Sequence, residues 1–144
     1  MEKRIASIGE LETEAASFVA SLAPAADKAV LVTLSGELGA GKTAFTKAVA
    51  KALGVADDLT SPTFVLQKAY DISCNGFARL IHIDAYRLES GEELVPLRLD
   101  ESLKDPENLI MLEWPEKVAD ALPAATISIT IEPEEDGSRT MRYA

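Results

Sequence analysis

An apolar run, Ala29 to Leu34, is followed at once by Gly36-Glu37-Leu38-Gly39-Ala40-Gly41-Lys42-Thr43 and then by residues spaced for an amphipathic helix. No other stretch limits the possible folds so strongly. The octapeptide fits G-x-x-x-x-G-K-[ST] without a mismatch, and the pattern has meaning only between a buried strand and a helix N-terminus. Both flanks are present. A near-continuous apolar run suits a strand covered on both faces. Beyond the loop, Phe45, Ala48, Val49, Ala52 and Leu53 recur at i, i+3, i+4, i+7 and i+8, which gives one buried helical stripe. Gly54 stands where a helix closes on a left-handed glycine.

Such a loop binds phosphate for physical reasons. Gly36, Gly39 and Gly41 allow positive φ and close backbone approach, so successive amides can point at an anion from a helix N-terminus. The expected nucleotide-contacting set is Gly36, Glu37, Leu38, Gly39, Ala40, Gly41, Lys42, Thr43 and Ala44. Lys42 would reach the β- and γ-phosphates, and the Thr43 hydroxyl would ligate Mg²⁺.

The rest of the chain alternates strand and helix. The pattern predicts a strand near Arg4 to Ile8, a helix from Glu10 to Leu22, and two strands, Phe64 to Tyr70 and Ala78 to Asp84, turned at Asn75-Gly76. Ser90 with Glu93 reads as a capping box opening a short helix limited by Pro96. Asn108 to Glu113 reads as a second buried strand, and Pro115 as the first residue of a helix to Leu122. Ile127, Ile129 and Ile131 alternate with polar residues, as in a strand with one wet face. The expected architecture is α/β: a three-layer sandwich with a mostly parallel central sheet and an antiparallel hairpin portion, in one domain spanning 1–144.

Charge narrows the partners. The formal net charge is −10, which argues against a chain that grips nucleic acid by itself, because phosphate contacts need clustered Lys and Arg. Lys28 to Lys68 holds five basic residues against three acidic, whereas Asp84 to Asp120 holds eleven acidic against four basic. No apolar segment is long enough to span a bilayer, and one cysteine, Cys74, permits no internal disulfide. The expected compartment is the cytoplasm, with no membrane contact.

A phosphate loop of this kind needs a carboxylate at the end of a neighbouring strand to hold the metal. Two apolar strands end suitably, Leu109-Ile110-Met111-Leu112-Glu113 and Leu80-Ile81-His82-Ile83-Asp84. Glu113 is assigned to the Mg²⁺ shell and Asp84 to the γ-phosphate, orienting water or metal, with the two roles exchangeable. The catalytic candidates are thus Lys42, Asp84 and Glu113, and the metal candidates Thr43, Glu113 and Asp84. Ser61, Pro62 and Thr63 are either a phosphate-sensing switch loop or ordinary turn chemistry. His82 is either packed or functional, Arg87 either a phosphate or partner contact or a surface residue. Trp114 either covers the nucleotide or fills the core.

In order and spacing, GELGAGKT at Gly36 to Thr43, SPTF at Ser61 to Phe64, HIDAYRL at His82 to Leu88 and LEWPEKV at Leu112 to Val118 resemble the TsaE (formerly YjeE) family of bacterial P-loop ATPases. The resemblance runs from about Glu10 to Ile131. It implies an ATPase of P-loop fold acting in N6-threonylcarbamoyladenosine modification of tRNA at adenosine 37. ATP and Mg²⁺ are the implied cofactors, TsaB and TsaD the implied partners, and tRNA is met only through them. It further implies that Lys42 and Thr43 serve ATP and Mg²⁺, that Asp84 and Glu113 are needed for function, that Ser61 to Thr63 is a switch-type loop, and that Trp114 is functional. A GTPase reading lacks an Asn-Lys-x-Asp base reader. A small-molecule kinase lacks a cationic lid, since the six arginines are scattered singly.

Overall fold

The computed structural model describes residues 1–55 and 67–144. Among them seven strands form one sheet: β1 (Glu2–Ile5), β2 (Val30–Ser35), β3 (Gln67–Cys74), β4 (Phe77–Asp84), β5 (Asn108–Glu113), β6 (Ile127–Pro133) and β7 (Arg139–Tyr143), in the order β1-β7-β6-β2-β5-β4-β3. The four central strands, β6, β2, β5 and β4, run parallel. The outer pairs β3·β4, β6·β7 and β1·β7 are antiparallel. The expected α/β architecture is therefore present, with antiparallel pairing at both edges rather than in one hairpin.

The two faces are covered unequally. Helices α1 (Ile8–Ser21) and α2 (Lys42–Ala52) lie on one face, where Phe18, Phe45 and Val49 meet Val32, Leu34, Leu109, Met111 and Ile129. Among the described residues the other face carries only short pieces: a 3₁₀ segment Gly91–Leu97, α3 (Leu99–Leu103), and 3₁₀ turns Pro115–Lys117 and Ala119–Ala121. There Leu94, Leu99 and Val118 meet Leu31, Ile81, Ile83, Ile110 and Leu112. Every residue of β5 is buried, because Leu109 and Met111 face one layer and Ile110 and Leu112 the other. Each such Leu or Ile contributes about 1.5–3 kcal/mol on burial.

Several boundaries move for identifiable reasons. Ser7 caps α1, its hydroxyl accepting from Glu10 N at 3.1 Å while the Glu10 carboxylate accepts from Ala6 N at 2.6 Å, so β1 stops at Ile5 and not Ile8. Gly54 has φ 88° and its N–H reaches Lys51 O, the expected helix close. β3 continues through Asp71 to Cys74, so Cys74 ends a strand instead of lying in the turn; Asn75 and Gly76, both at positive φ, make that turn. The start expected for this strand at Phe64 falls outside the described residues. The Ser90–Glu93 capping box is present, but it opens a 3₁₀ segment that contains Pro96. The helix expected from Pro115 to Leu122 is instead two 3₁₀ turns separated at Val118, a buried residue whose φ of −131° interrupts the helical path.

Candidate functional site

β2, β5 and β4 end side by side, and their carboxyl ends position the chemistry. Cross-strand register sets Leu34 opposite Glu113 and Glu113 opposite Asp84. The chain leaves β2 at Gly36 (φ 150°), passes Gly39 (φ 83°) and enters α2 through Gly41 (φ 112°), all positive φ values that favour glycine. Gly36 also needs its missing side chain, because a Cβ there would stand 2.4 Å from Ile131 O.

Lys42, Thr43, Asp84, Glu113 and Trp114 line one cleft with Leu38, Gly39, Gly41, Ala44 and Tyr86, enclosing about 280 Å³. Within the loop, Lys42 Nζ donates to Gly36 O at 2.6 Å and Glu37 O at 2.9 Å, and lies 4.0 Å from the centre of the Trp114 ring. Burial pushes the Lys42 ammonium below its ordinary pKa, against the opposing pull of Glu113, Glu116 and Asp84. Trp114 sits at φ 63°, its N–H donating to Leu34 O at 3.1 Å, and packs on Tyr86 with 5.0 Å between ring centres. It therefore forms a wall of the cleft while also packing, partly buried, against the core of the thinner layer.

Glu113 is only 2 % exposed, and both of its oxygens are engaged. Thr43 Oγ1 donates to Oε1 at 3.0 Å, and His82 Nε2 donates to Oε2 at 2.5 Å. An ionised carboxylate only accepts, which assigns the hydrogen to Nε2. Asp84 is half-buried and accepts from Tyr86 N at 3.0 Å. Burial pushes its carboxyl above the usual range, opposed by the Tyr86 bond and reinforced by the nearby Glu113 charge.

The donor set suits Mg²⁺. A hydroxyl and one or two carboxylates, completed by phosphate oxygens and water, is how this hard cation is held in nucleotide sites. Among the described residues no three of His, Cys, Asp and Glu gather into an all-protein metal cage.

The structure thus brings Gly36 to Ala44, Asp84, Glu113 and Trp114 together. Ser61, Pro62 and Thr63 lie outside the described residues. His82 is fully buried and is also bonded to Glu113, so packing and site are not alternatives there. Arg87 is exposed. Sequence reasoning missed Arg139, whose guanidinium bonds Ala40 O and Gly39 O from β7; one arginine among six scattered ones gave no local signal. A larger cavity of about 570 Å³ lies at the opposite end of β2, between Asp27–Leu31 and Asp120–Thr126, and contains none of the site residues.

Comparison with known proteins agrees with this geometry. The family model for threonylcarbamoyl adenosine biosynthesis protein TsaE matches residues 10–141. A tRNA threonylcarbamoyladenosine biosynthesis protein TsaE from Treponema pallidum is 38% identical over 114 residues, covering 79% of this chain and 81% of that one. The Streptomyces coelicolor protein of the same name is 43% identical over 103 residues, 71% of this chain and 68% of its own. The crystal structure of Bacillus subtilis YdiB superposes with a TM-score of 0.74 at 29% identity, covering 99% of this chain and 83% of YdiB. A glycine loop, two strand-end carboxylates and a tryptophan wall in one cleft, on a chain matched by that model over nearly its whole length, make this protein a member of the TsaE family of tRNA threonylcarbamoyladenosine biosynthesis proteins.

Proposed function

We propose that this chain, as a single P-loop domain of the cytoplasm, binds ATP with Mg²⁺ in the cleft and hydrolyses it. Through nucleotide-dependent association with TsaB and TsaD it would support N6-threonylcarbamoyladenosine formation at adenosine 37 of tRNA. The observation that carries this reading is the Thr43 Oγ1 to Glu113 Oε1 bond of 3.0 Å beneath the glycine loop, with Asp84 level with Glu113 on the next strand. A nearly buried carboxylate is costly unless it has partners, and a hydroxyl at the first turn of α2 is where such a loop holds its metal.

The roles follow from position. Loop amides from Gly36 to Ala44 hold the phosphates, and Lys42 exchanges its loop carbonyls for phosphate oxygens. Thr43 and Glu113 would hold Mg²⁺, which would supply positive charge to neutralise the triphosphate. Asp84 orients the attacking water at the γ-phosphorus, and Trp114 closes the side of the cleft. For Ser61, Pro62 and Thr63, outside the described residues, the proposed role is sensing of the γ-phosphate. With a net charge of −10, the chain meets tRNA through its partners. No helix among the described residues is long and apolar enough to cross a membrane.

The test is ATP turnover and modified-nucleoside formation in a reconstituted mixture with TsaB, TsaD and tRNA over multiple turnovers. The chain alone should hydrolyse ATP feebly and the mixture faster. Lys42→Ala and Glu113→Ala should each lose most of the stimulated activity. Parent-like turnover by either variant would refute the assignment, and efficient phosphorylation of a metabolite would replace it with a kinase.

A further inference from the structure

A loop whose amides converge on an anion must turn its carbonyls outward, and each carbonyl then needs a donor of its own. In this protein two of them find it in a residue about a hundred positions away. Arg139, the first residue of β7, donates from Nε to Ala40 O at 2.8 Å and from Nη2 to Gly39 O at 3.4 Å. The same guanidinium donates from Nη1 to Gly137 O at 3.1 Å, tying the glycine loop to the turn before β7. A second contact comes from the other strand of that hairpin. Gly36 opens the loop so close to β6 that a Cβ would stand 2.4 Å from Ile131 O.

We infer that the β6–β7 hairpin is the buttress of the phosphate loop and that Arg139 is its positioning residue, holding the Gly39 and Ala40 carbonyls outward so that the Gly41 amide faces the cleft, the Ala40 N–H being engaged by Glu37 O at 3.0 Å. The inference rests on the nucleotide reading of the cleft and adds to it a residue outside the glycine motif. The guanidinium is suited to this task because it presents a rigid planar fork of donors, which an ammonium does not. Its charge also stays at the loop. Arg142, three residues on, pairs with Glu2 and Glu132, and Arg4 pairs with Asp136, whereas Arg139 has no carboxylate partner among the described residues. A permanently charged group so placed favours anion binding beside it.

The experiment uses the full chain as parent, Arg139→Gln, Arg139→Lys, and Arg142→Gln as control. It reads Mg·ATP affinity by calorimetry, amide hydrogen exchange of peptides covering Gly36 to Thr43 without nucleotide, and Tm. Arg139→Gln should bind ATP about tenfold or more weakly and exchange loop amides faster at temperatures well below its Tm. Arg139→Lys, which keeps the charge and loses the fork, should fall between it and the parent, and Arg142→Gln should match the parent. Binding within about twofold of the parent by folded Arg139→Gln, with unchanged loop exchange, would overturn the inference. Should that variant not fold, parent-like affinity and exchange in Arg139→Lys would overturn it. Failure of the parent itself to bind ATP would sink the nucleotide reading instead, while loop exchange would still judge the brace.

Discussion

His82 Nε2 lies 2.5 Å from Glu113 Oε2, a contact between two buried side chains on neighbouring strands whose backbones are two register positions apart. It leaves the other carboxylate oxygen facing Thr43 Oγ1. One side chain thus sets the rotamer of the carboxylate assigned to Mg²⁺. The His82 Nδ1 atom has no hydrogen-bond partner among the described residues.

His82→Leu should cost about 2–3 kcal/mol of folding stability, because it leaves one oxygen of a buried carboxylate without its donor. His82→Gln, which restores an N–H of similar reach, should recover part of that loss. Urea denaturation of the nucleotide-free protein measures both. A His82→Leu midpoint equal to the parent's would show that Glu113 does not depend on this bond.

Lys42 is held by the Gly36 and Glu37 carbonyls and capped by the Trp114 ring, so it must leave both to reach a triphosphate. Trp114 is the one tryptophan in the chain. Its emission should therefore change on adding Mg·ATP, and Lys42→Met should abolish the change at the same nucleotide concentration. A parent signal that does not move on saturation by calorimetry would refute this account of the lysine.

Asp84 supplies a pH dependence with a definite sign. Burial raises its carboxyl above the value it has in the unfolded chain, so the folded state holds that proton more tightly. The corresponding stability is fully present below the unfolded pKa and is lost as pH rises through the folded one. Asp84→Asn should remove the loss. In chelator, without nucleotide, the Tm of Asp84→Asn minus that of the parent should grow from about pH 3 to pH 7. A difference that shrinks over that interval would contradict the raised carboxyl.

The acidic stretch presents Glu92, Asp100 and Glu101 to solvent around exposed Val95, which is 72% exposed. Glu93 lies among them but accepts from Ser90 N and Glu89 N and so belongs to a helix cap. Changing Glu92, Asp100 and Glu101 together to Lys, with Glu93 kept, should weaken the proposed association with TsaB and TsaD at low salt by at least tenfold without lowering Tm. Unchanged binding in a sedimentation or calorimetric titration would return these charges to plain solvation.

Parts whose logic is local can be read from the residues alone. The glycine spacing, the apolar run before it and the helical stripe after it lie within about 25 residues, so period and composition suffice to read them. Glu113 and Asp84 were legible because each ends an apolar strand, and carboxyl ends of parallel strands converge. Local patterning could not show that Pro115 to Leu122 breaks at Val118, because burial of that side chain beneath the sheet overrides helix continuity. Nor could it show that His82 faces Glu113 across 31 positions, or that Arg139 reaches Ala40 across 99. Those pairings depend on strand order and register, which are settled when both faces of the sheet are buried together. Folding therefore set what the one histidine bonds, and which of the six arginines stands behind the glycine loop.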